Sequence, residues 1–263
     1  MAAVAVGALF ALPLVLMVTG SLRKAGLPPP RGPELVPRPV SFGNYGEALE
    51  LVDLGRYALN SAIVCAVTIP LSVLCASWAG FAISQLPRRL AGVLLGTSFL
   101  ALMVPVTALL VPRFALFSSL GLTDTFVPLM AAGLIGTSPF YVLLYWWAFS
   151  RVPRDLLDVA RVEGAGPLAI WRRSAMPLVR PVTVVVAVLA GVVTWSNFLD
   201  PLIYLSSAER FTLPLGLRSL AQLDRQNAPL LLAGAVMATA PVVIAFLAVQ
   251  RRLFRGGRLH VAE

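Results

Sequence analysis

The sequence contains few charged residues and almost no lysine or histidine. Only 13% of its 263 residues are charged, whereas soluble domains contain roughly 25%. Lys24 is the single lysine and His260 the single histidine. A Gly-Lys-Ser/Thr phosphate-binding loop and a histidine metal cluster are therefore excluded. With its one histidine in the tail, we expect no Ser-His-Asp or Cys-His catalytic centre and no metal site.

Cysteine is scarce as well. Cys65 and Cys75 are the only two, and both lie in one apolar run. Ten residues of helix would separate them by about 15 Å, which is beyond the reach of a disulfide. If the run is helical, the two thiols are therefore not joined to each other.

Apolar residues, in contrast, make up 58% of the chain, and the mean hydropathy is +0.84. A bilayer core about 30 Å thick requires roughly 20 apolar helical residues, and six stretches of this kind contain no charge. We therefore predict an all-α membrane protein with six transmembrane helices in a single domain, 1–263. The fifth stretch is uncharged over 181–199, and we expect its helix to continue to 205. The predicted spans are 1–22, 57–87, 90–112, 125–150, 181–205 and 226–250.

The basic residues predict the orientation of these spans. If the N-terminus is cytoplasmic, the inner segments contain twelve of the 21 basic residues and four of the twelve acidic ones. This distribution follows the positive-inside rule, so we expect both termini in the cytoplasm. Arg23 and Lys24 favour the opposite orientation locally. Span 1–22 has no basic n-region, which favours an uncleaved helix over a signal peptide. The net charge of +9 then reflects topology rather than nucleic-acid binding.

Several prolines lie inside the predicted spans, and two interpretations remain open. Each proline removes a backbone hydrogen bond, so the spans could be bent helices around a solute pathway. Proline is also common in membrane helices without such a role. Because no span has a charged residue near its middle, a proton- or ion-coupled carrier is disfavoured. These prolines include Pro70, Pro105, Pro128, Pro139 and Pro241.

Two outer loops and one inner loop connect the spans. The outer loop 23–56 is rich in proline and is predicted to be an extended connector, and loop 206–225 is predicted to contain a short amphipathic element. In the inner loop 151–180, Pro153 suits the first turn of a helix, and Gly164 can adopt the left-handed conformation that ends one. The apolar face of that helix would consist of Leu156, Leu157 and Ala160.

A short amphipathic helix of this kind has two physical interpretations. It could dock in a groove of another protein, or it could lie on anionic lipid through its arginines. A second short helix is predicted from Pro167 to about residue 174.

The order of residues in this loop follows a family pattern. The loop contains residues spaced as Pro-x-x-Leu-x-x-x-Ala-x-x-x-Gly-Ala, and prolines follow downstream. The positions between these residues include Asp158, Val159 and Glu163. This segment resembles the Glu-Ala-Ala loop of ABC importer permeases, in which the first acid is usually Glu, the second Asp, and the position of Val159 an alanine. The residues that fit directly are Pro153, Leu156, Ala160, Gly164, Ala165, Pro177 and Pro181.

Further motifs occur in the order typical of the carbohydrate (maltose-type) permeases, so the resemblance extends over nearly the whole chain. The stretch 195–198 departs at both central positions from the Trp-Asn-Glu/Asp-Phe of the family, and the C-terminal tail departs from the usual ending. The matching motifs are Phe42-Gly43-Asn44-Tyr45, Asn60-Ser61, Met103-Val104-Pro105, Gly121-Leu122-Thr123-Asp124-Thr125, Thr212-Leu213-Pro214-Leu215-Gly216 and Gln250-Arg251-Arg252.

The resemblance implies a type I ABC importer permease fold with a cytoplasmic coupling helix between spans four and five, in the inner membrane of a bacterial cell. It implies a sugar or sugar-like solute, an extracytoplasmic binding protein, a second permease subunit and two cytoplasmic ATP-binding subunits. ATP would be used by those partners, and the chain itself would bind no cofactor. The residues implied for ATPase coupling are Pro153, Leu156, Asp158, Val159, Ala160, Glu163, Gly164, Ala165 and Pro177.

Trp195 and Asn197 are candidate residues of the translocation pathway, with side-chain packing as the alternative. Three other functions are weighed against sugar import. A permease of the same superfamily could import a polyol phosphate or a peptide, and an ATP-independent channel or carrier would need no ATPase. A membrane-embedded enzyme is disfavoured because no acid, histidine or metal ligand lies near the middle of a span.

Overall fold

A computed structural model describes residues 2–27, 32, 35–135, 138–223 and 227–256. Over these residues the chain is mostly helical, and its only strand-like pairing is an isolated bridge between Arg23 and Val40. Residues 257–263, which include His260, lie outside the described residues. The helices are α1 Ala2–Ser21, α2 Gly43–Leu51, α3 Leu54–Ser84, α4 Arg88–Leu102, α5 Val106–Ser119, α6 Val127–Ile135, α7 Pro139–Phe149, α8 Arg154–Val162, α9 Pro167–Leu178, α10 Arg180–Trp195, α11 Leu199–Tyr204, α12 Leu213–Leu223 and α13 Ala228–Gly256.

Within the described part of the chain, two helices are long and apolar enough to cross a membrane alone, α3 and the stretch Ala228–Ala248 of α13. The pairs α4–α5 and α9–α10 also qualify when each is taken together, and they bend by 87° and 88°. Shorter apolar helices cover Val6–Ser21 and α7. Each of the six predicted spans therefore overlaps one of these segments, while the number of membrane crossings stays a prediction.

Proline positions explain where two predicted spans are interrupted. The stretch 90–112 is not one helix, because α4 ends at Leu102 and a helix resumes only after Pro105. Proline lacks the N–H that would continue the hydrogen-bond ladder, and its ring disfavours helical geometry for the residue before it. The stretch 125–150 is likewise two helices, the second starting at Pro139. Pro70 and Pro241, in contrast, lie inside continuous helices.

The chain divides into two compact units. In the first, 1–62 with 206–248, side-chain amides hold the loops. Asn44 Nδ2 donates to the carbonyls of Ser21 and Arg23 at 2.7 Å each. Asn60 Nδ2 donates to the carbonyls of residues 209 and 211, at 2.9 Å each. The Asn-Tyr and Asn-Ser motifs thus include two asparagines that hold backbone carbonyls.

The same unit corrects the prediction for loop 23–56 and supports that for 206–225. Loop 23–56 contains a helix, α2, and is not extended throughout. In loop 206–225, α12 is a helix whose buried residues include Leu213 and Gly216. A Cβ at Gly216 would lie 2.1 Å from Tyr57 Cδ2, so only glycine allows this close approach.

The second unit, 63–205 with 249–263, contains a hydrophobic core made by α3, α7, α8, α9 and α10. Phe81 packs edge-on against Phe149 with ring centroids 5.3 Å apart, and Trp78 packs against Trp171 at 5.5 Å. Cys65 and Cys75 both lie in α3 as free thiols. This core is the base on which the loop 151–180 lies.

Candidate functional site

Helix α8 forms the centre of the loop 151–180. Pro153 directly precedes it with φ −56° and ψ 129°, and the helix runs for nine residues from Arg154 to Val162. Asp155 lies in its first turn and Arg161 in its last, an arrangement that complements the helix dipole at both ends. The predicted helix is therefore present, with Pro153 one residue before its start.

Leu157 anchors α8 to the core of the second unit. Its side chain is only 3% exposed and belongs to the same buried cluster as Ile170 and Trp171, while Ala160 packs partly buried against that cluster. The assignment of Leu156 to the same face is wrong, because Leu156 is 52% exposed. Successive helical residues are rotated by about 100°, so only one of two adjacent leucines can face Ile170 and Trp171.

The opposite side of α8 presents three apolar side chains, which we call the outer stripe. Leu156, Val159 and Val162 are 52%, 58% and 88% exposed. Their spacing of three residues places them along one side of the helix. An apolar stripe on the outside of a helix that is already anchored by Leu157 is available to pack against another molecule.

The C-terminus of α8 is closed by a Schellman motif. The N–H of Gly164 donates to the carbonyl of Arg161 at 3.0 Å, and the N–H of Ala165 donates to that of Ala160 at 2.9 Å. This pair of bonds requires a left-handed residue after the last helical position. Gly164 has φ +81°, and Glu163 is the residue between it and the helix. The predicted role of Gly164 in ending the helix is confirmed.

Asp158 and Arg161 form an ion pair on the exposed surface of α8. Arg161 also donates a hydrogen bond to Gln85 Oε1, in the turn after α3. The ion pair is exposed, with side-chain accessibilities of 56% and 46% for Asp158 and Arg161. Such a pair contributes little to stability. The hydrogen bond from Arg161 to Gln85 connects α8 to the C-terminal end of α3.

Helix α9 follows α8 after Gly166 and includes a π-helical turn over Ile170–Ala175. Its Trp171 packs against Trp78 of α3, while Pro177 is exposed near its end. The chain then turns at Val179 into α10. The coupling residues proposed from the sequence are thus brought together on α8, its C-terminal cap and α9.

The other two predicted site residues lie at the far end of α10. The sixteen residues of α10 extend about 24 Å, and Trp195 is the last of them. Asn197 Nδ2 donates to Asp200 Oδ2 at 2.8 Å, and Asn197 Oδ1 accepts from the Asp200 N–H at 3.2 Å. These two hydrogen bonds fix the turn between α10 and α11.

Sequence reasoning missed the partner of Asp200. Arg113 Nη1 of α5 lies 3.4 Å from Asp200 Oδ1, with side-chain accessibilities of 25% and 12%. Tyr204, which is 2% exposed, packs against Phe114 and Phe117 beside this pair. The available signal was Asp200 itself, a charge placed three residues after the candidate Asn197 at the end of an apolar run.

No cluster of three or more His, Cys, Asp or Glu that could hold a metal ion occurs among the described residues. The site is therefore described by its helix geometry and exposed side chains.

A comparison with solved structures identifies the fold. The chain superposes with a TM-score of 0.77 on a chain of the crystal structure of a bacterial ABC transporter involved in the import of the acidic polysaccharide alginate. The match covers 95% of this chain and 93% of that one at 20% sequence identity. A second structure, the bacterial alginate ABC transporter in complex with an alginate pentasaccharide-bound periplasmic protein, gives 0.68 at 12% identity, covering 98% of this chain and 94% of that one. The fold is that of an ABC importer permease.

Sequence comparisons give the family. Residues 51–256 match the model of the binding-protein-dependent transport system inner membrane component. The chain is 32% identical over 197 residues to the arabinooligosaccharides transport system permease protein AraQ of Halalkalibacterium halodurans, covering 75% of this chain and 70% of that protein. It is 25% identical to the melibiose/raffinose/stachyose import permease protein MelC of Bacillus subtilis, covering 93% and 88%. The chain belongs to the family of binding-protein-dependent transport system inner membrane components. It is therefore a membrane permease, and the resemblance stated from the sequence is confirmed.

Proposed function

We propose that this chain is the transmembrane permease subunit of an ATP-driven importer for a sugar or sugar-like solute that an extracytoplasmic binding protein delivers. The observation that carries the proposal is the outer stripe of α8. Its three apolar side chains face away from the core, on a helix that is fixed at one end by Pro153 and at the other by Gly164. Sugar specificity is supported by relatives named as transporters of arabinooligosaccharides, melibiose and lactose.

The chain crosses the membrane six times in this proposal, as one permease domain with both termini in the cytoplasm. The crossings are α1, α3, the α4–α5 pair, α6 with α7, α10 with α11, and α13. Two observations support the assignment. Each segment is apolar, and exposed apolar residues such as Phe10, Leu100 and Ile244 lie along the helices where lipid would contact them.

Coupling to ATP occurs through α8. The outer stripe docks in a cleft of a cytoplasmic ATP-binding subunit, and α8 moves as a rigid unit when two such subunits close on ATP. Because Leu157 and Ala160 pack against the core, motion of α8 is transmitted to α3, α9 and α10. Asp158 and Glu163 lie on exposed positions of the same segment, where they can pair with polar groups of the ATPase.

The proposed assembly contains four kinds of component besides lipid. They are this permease, a second permease that is a different chain, two ATP-binding subunits and the binding protein. The ATP site belongs to the partners, since the only lysine, Lys24, does not follow a glycine. Trp195 and Asn197 are assigned to the translocation pathway at the outer end of α10.

A reconstituted complex tests the coupling proposal. We expect Val162→Asp to abolish binding-protein-stimulated ATP hydrolysis, because a carboxylate would be buried at the docking surface without a partner. Leu168→Asp is the matched control, since Leu168 is 60% exposed but lies on α9 and outside the stripe. Equal loss in both variants, or full activity in Val162→Asp, would contradict the proposal.

The solute is tested separately by transport. Vesicles containing the complex and its binding protein are offered labelled arabino-oligosaccharides, α-galactosides, a polyol phosphate and a peptide. We expect ATP-dependent uptake of a saccharide. Uptake of only the phosphate or the peptide would overturn the sugar assignment while leaving the coupling mechanism intact.

A further inference from the structure

A cavity of about 240 Å³ opens in the second unit beside the start of α8. It is lined by the end of α3, the first turns of α4, the end of α7 and the first residue of α8. Pockets that enclose a drug-sized ligand measure roughly 300–1,000 Å³. This cavity is smaller, so it suits one end of a ligand whose remainder lies outside.

The polar part of the cavity is cationic. Arg88 and Arg154 both line it, and no acidic side chain does. Within the described part of the chain, neither guanidinium has an ion-pair or hydrogen-bond partner. Both arginines are also the first residues of their helices, α4 and α8, and neither helix has a side-chain cap. Unbonded first-turn N–H groups at two helix N-termini add positive potential next to the arginines.

The remaining walls are mostly apolar, apart from Ser84 and Ser150, whose hydroxyls donate to backbone carbonyls. Leu86, Leu95, Trp146 and Phe149 line the cavity together with Gly92. A Cβ built at Gly92 has no neighbour within 4 Å, so a side chain at this position would project into open space. Next to Gly92, Val93 is 62% exposed, so the surface of α4 beside the cavity is apolar as well.

We propose that this cavity binds the phosphate headgroup of an anionic phospholipid from the cytoplasmic leaflet, with an acyl chain lying along α4. Two guanidinium groups match a phosphate in charge and hydrogen-bonding geometry. Basic pockets between helices on the cytoplasmic side are known to hold such headgroups. The inference requires the family's membrane location and the predicted orientation, and it is independent of the docking of α8 on an ATPase.

Native mass spectrometry of the full-length permease in detergent micelles tests the proposal. Phosphatidylglycerol is titrated against phosphatidylcholine, and bound lipid is counted. We expect Arg88→Gln/Arg154→Gln to weaken phosphatidylglycerol binding about a hundredfold, since each hydrogen bond from a guanidinium to the phosphate contributes roughly tenfold. Gly92→Leu should weaken it as well by filling the cavity. The double variant Arg89→Gln/Arg180→Gln removes the same charge from exposed positions outside the cavity and should bind as the parent does.

Several results would overturn the proposal. Equal retention of both lipids would show that charge is not recognised, and complete competition by inorganic phosphate would identify a free anion as the ligand. Loss of partner subunits from the purified complex in the Arg88/Arg154 variant, with unchanged lipid binding, would identify a protein-docking surface instead. Arg88→Lys/Arg154→Lys guards against misfolding, because it keeps both charges and should retain most of the binding.

Discussion

Replacement of Gly164 gives the sharpest test of the coupling helix. Gly164 has φ +81°, and a Cβ built there meets no atom within 4 Å. The cost of a side chain is therefore conformational and not steric. Placing a residue other than glycine in the left-handed backbone conformation costs about 1–2 kcal/mol of conformational energy. Asparagine tolerates this conformation better than alanine. At 25 °C, about 1.4 kcal/mol changes an equilibrium tenfold.

We expect the effect to appear as fraying of the C-terminus of α8. If the residue leaves the left-handed region, the bonds to the carbonyls of Ala160 and Arg161 are lost together. The outer stripe then loses its fixed position. Binding-protein-stimulated ATP hydrolysis in the reconstituted complex should decrease in the order Gly164, Gly164→Asn, Gly164→Ala, Gly164→Val. The valine variant should be almost inactive, yet inserted in the membrane at the parent level.

The matched control is Gly166→Ala. Gly166 is also free of neighbours within 4 Å, but its φ is −70°, which alanine adopts without strain. This variant should hydrolyse ATP at the parent rate. If Gly164→Val kept stimulated hydrolysis and transport, or if Gly166→Ala lost them equally, the rigid-helix argument would be refuted.

Three further predictions concern packing and polar contacts. Leu157→Ala should lower the free energy of unfolding in mixed micelles by about 2–5 kcal/mol, whereas Leu156→Ala should change it by less than about 0.5 kcal/mol and still reduce stimulated ATP hydrolysis. Asp200→Asn should cost about 1–3 kcal/mol, because Arg113 is left partly buried without its carboxylate, and Arg113→Gln in the same chain should recover part of the loss. Asn60→Ala should cost a similar amount, since two carbonyls lose their donor.

Each of these has a contradicting result. Equal destabilisation by Leu156→Ala and Leu157→Ala would mean that both leucines are buried in the membrane-bound protein. If Asp200→Asn unfolded with the same free energy as the parent, the carboxylate and Arg113 would not interact in the protein in mixed micelles. Unchanged unfolding of Asn60→Ala would remove the proposed role of its amide in holding the loop.

Local chemistry made part of this fold predictable. The absence of charge from six long stretches indicated the helices, because charged side chains are costly in a bilayer. Gly164 could be identified as a helix end because few residue types accept a positive φ. Asn60 illustrates the limit. Its motif was visible in the sequence, but its two acceptor carbonyls are about 150 residues away along the chain, and only the folded chain shows them.

Other features depended on packing that no local pattern encodes. Pro70 and Pro105 are both prolines within apolar stretches, yet only the second interrupts its helix. Leu156 and Leu157 are equivalent by periodicity until the positions of Ile170 and Trp171 are known. Arg113 and Asp200 lie on different helices, and nothing in the sequence of either helix indicates that the two residues form a pair.

Site-specific cross-linking from position 159 tests directly whether α8 docks on an ATP-binding subunit. A photoreactive amino acid in place of Val159, in the middle of the outer stripe, is activated in the assembled complex, and Leu178, exposed on α9, is the control position. If α8 docks as proposed, we expect a covalent adduct between position 159 and an ATP-binding subunit. An adduct only with lipid, or none at position 159 while position 178 cross-links to the ATPase, would contradict it.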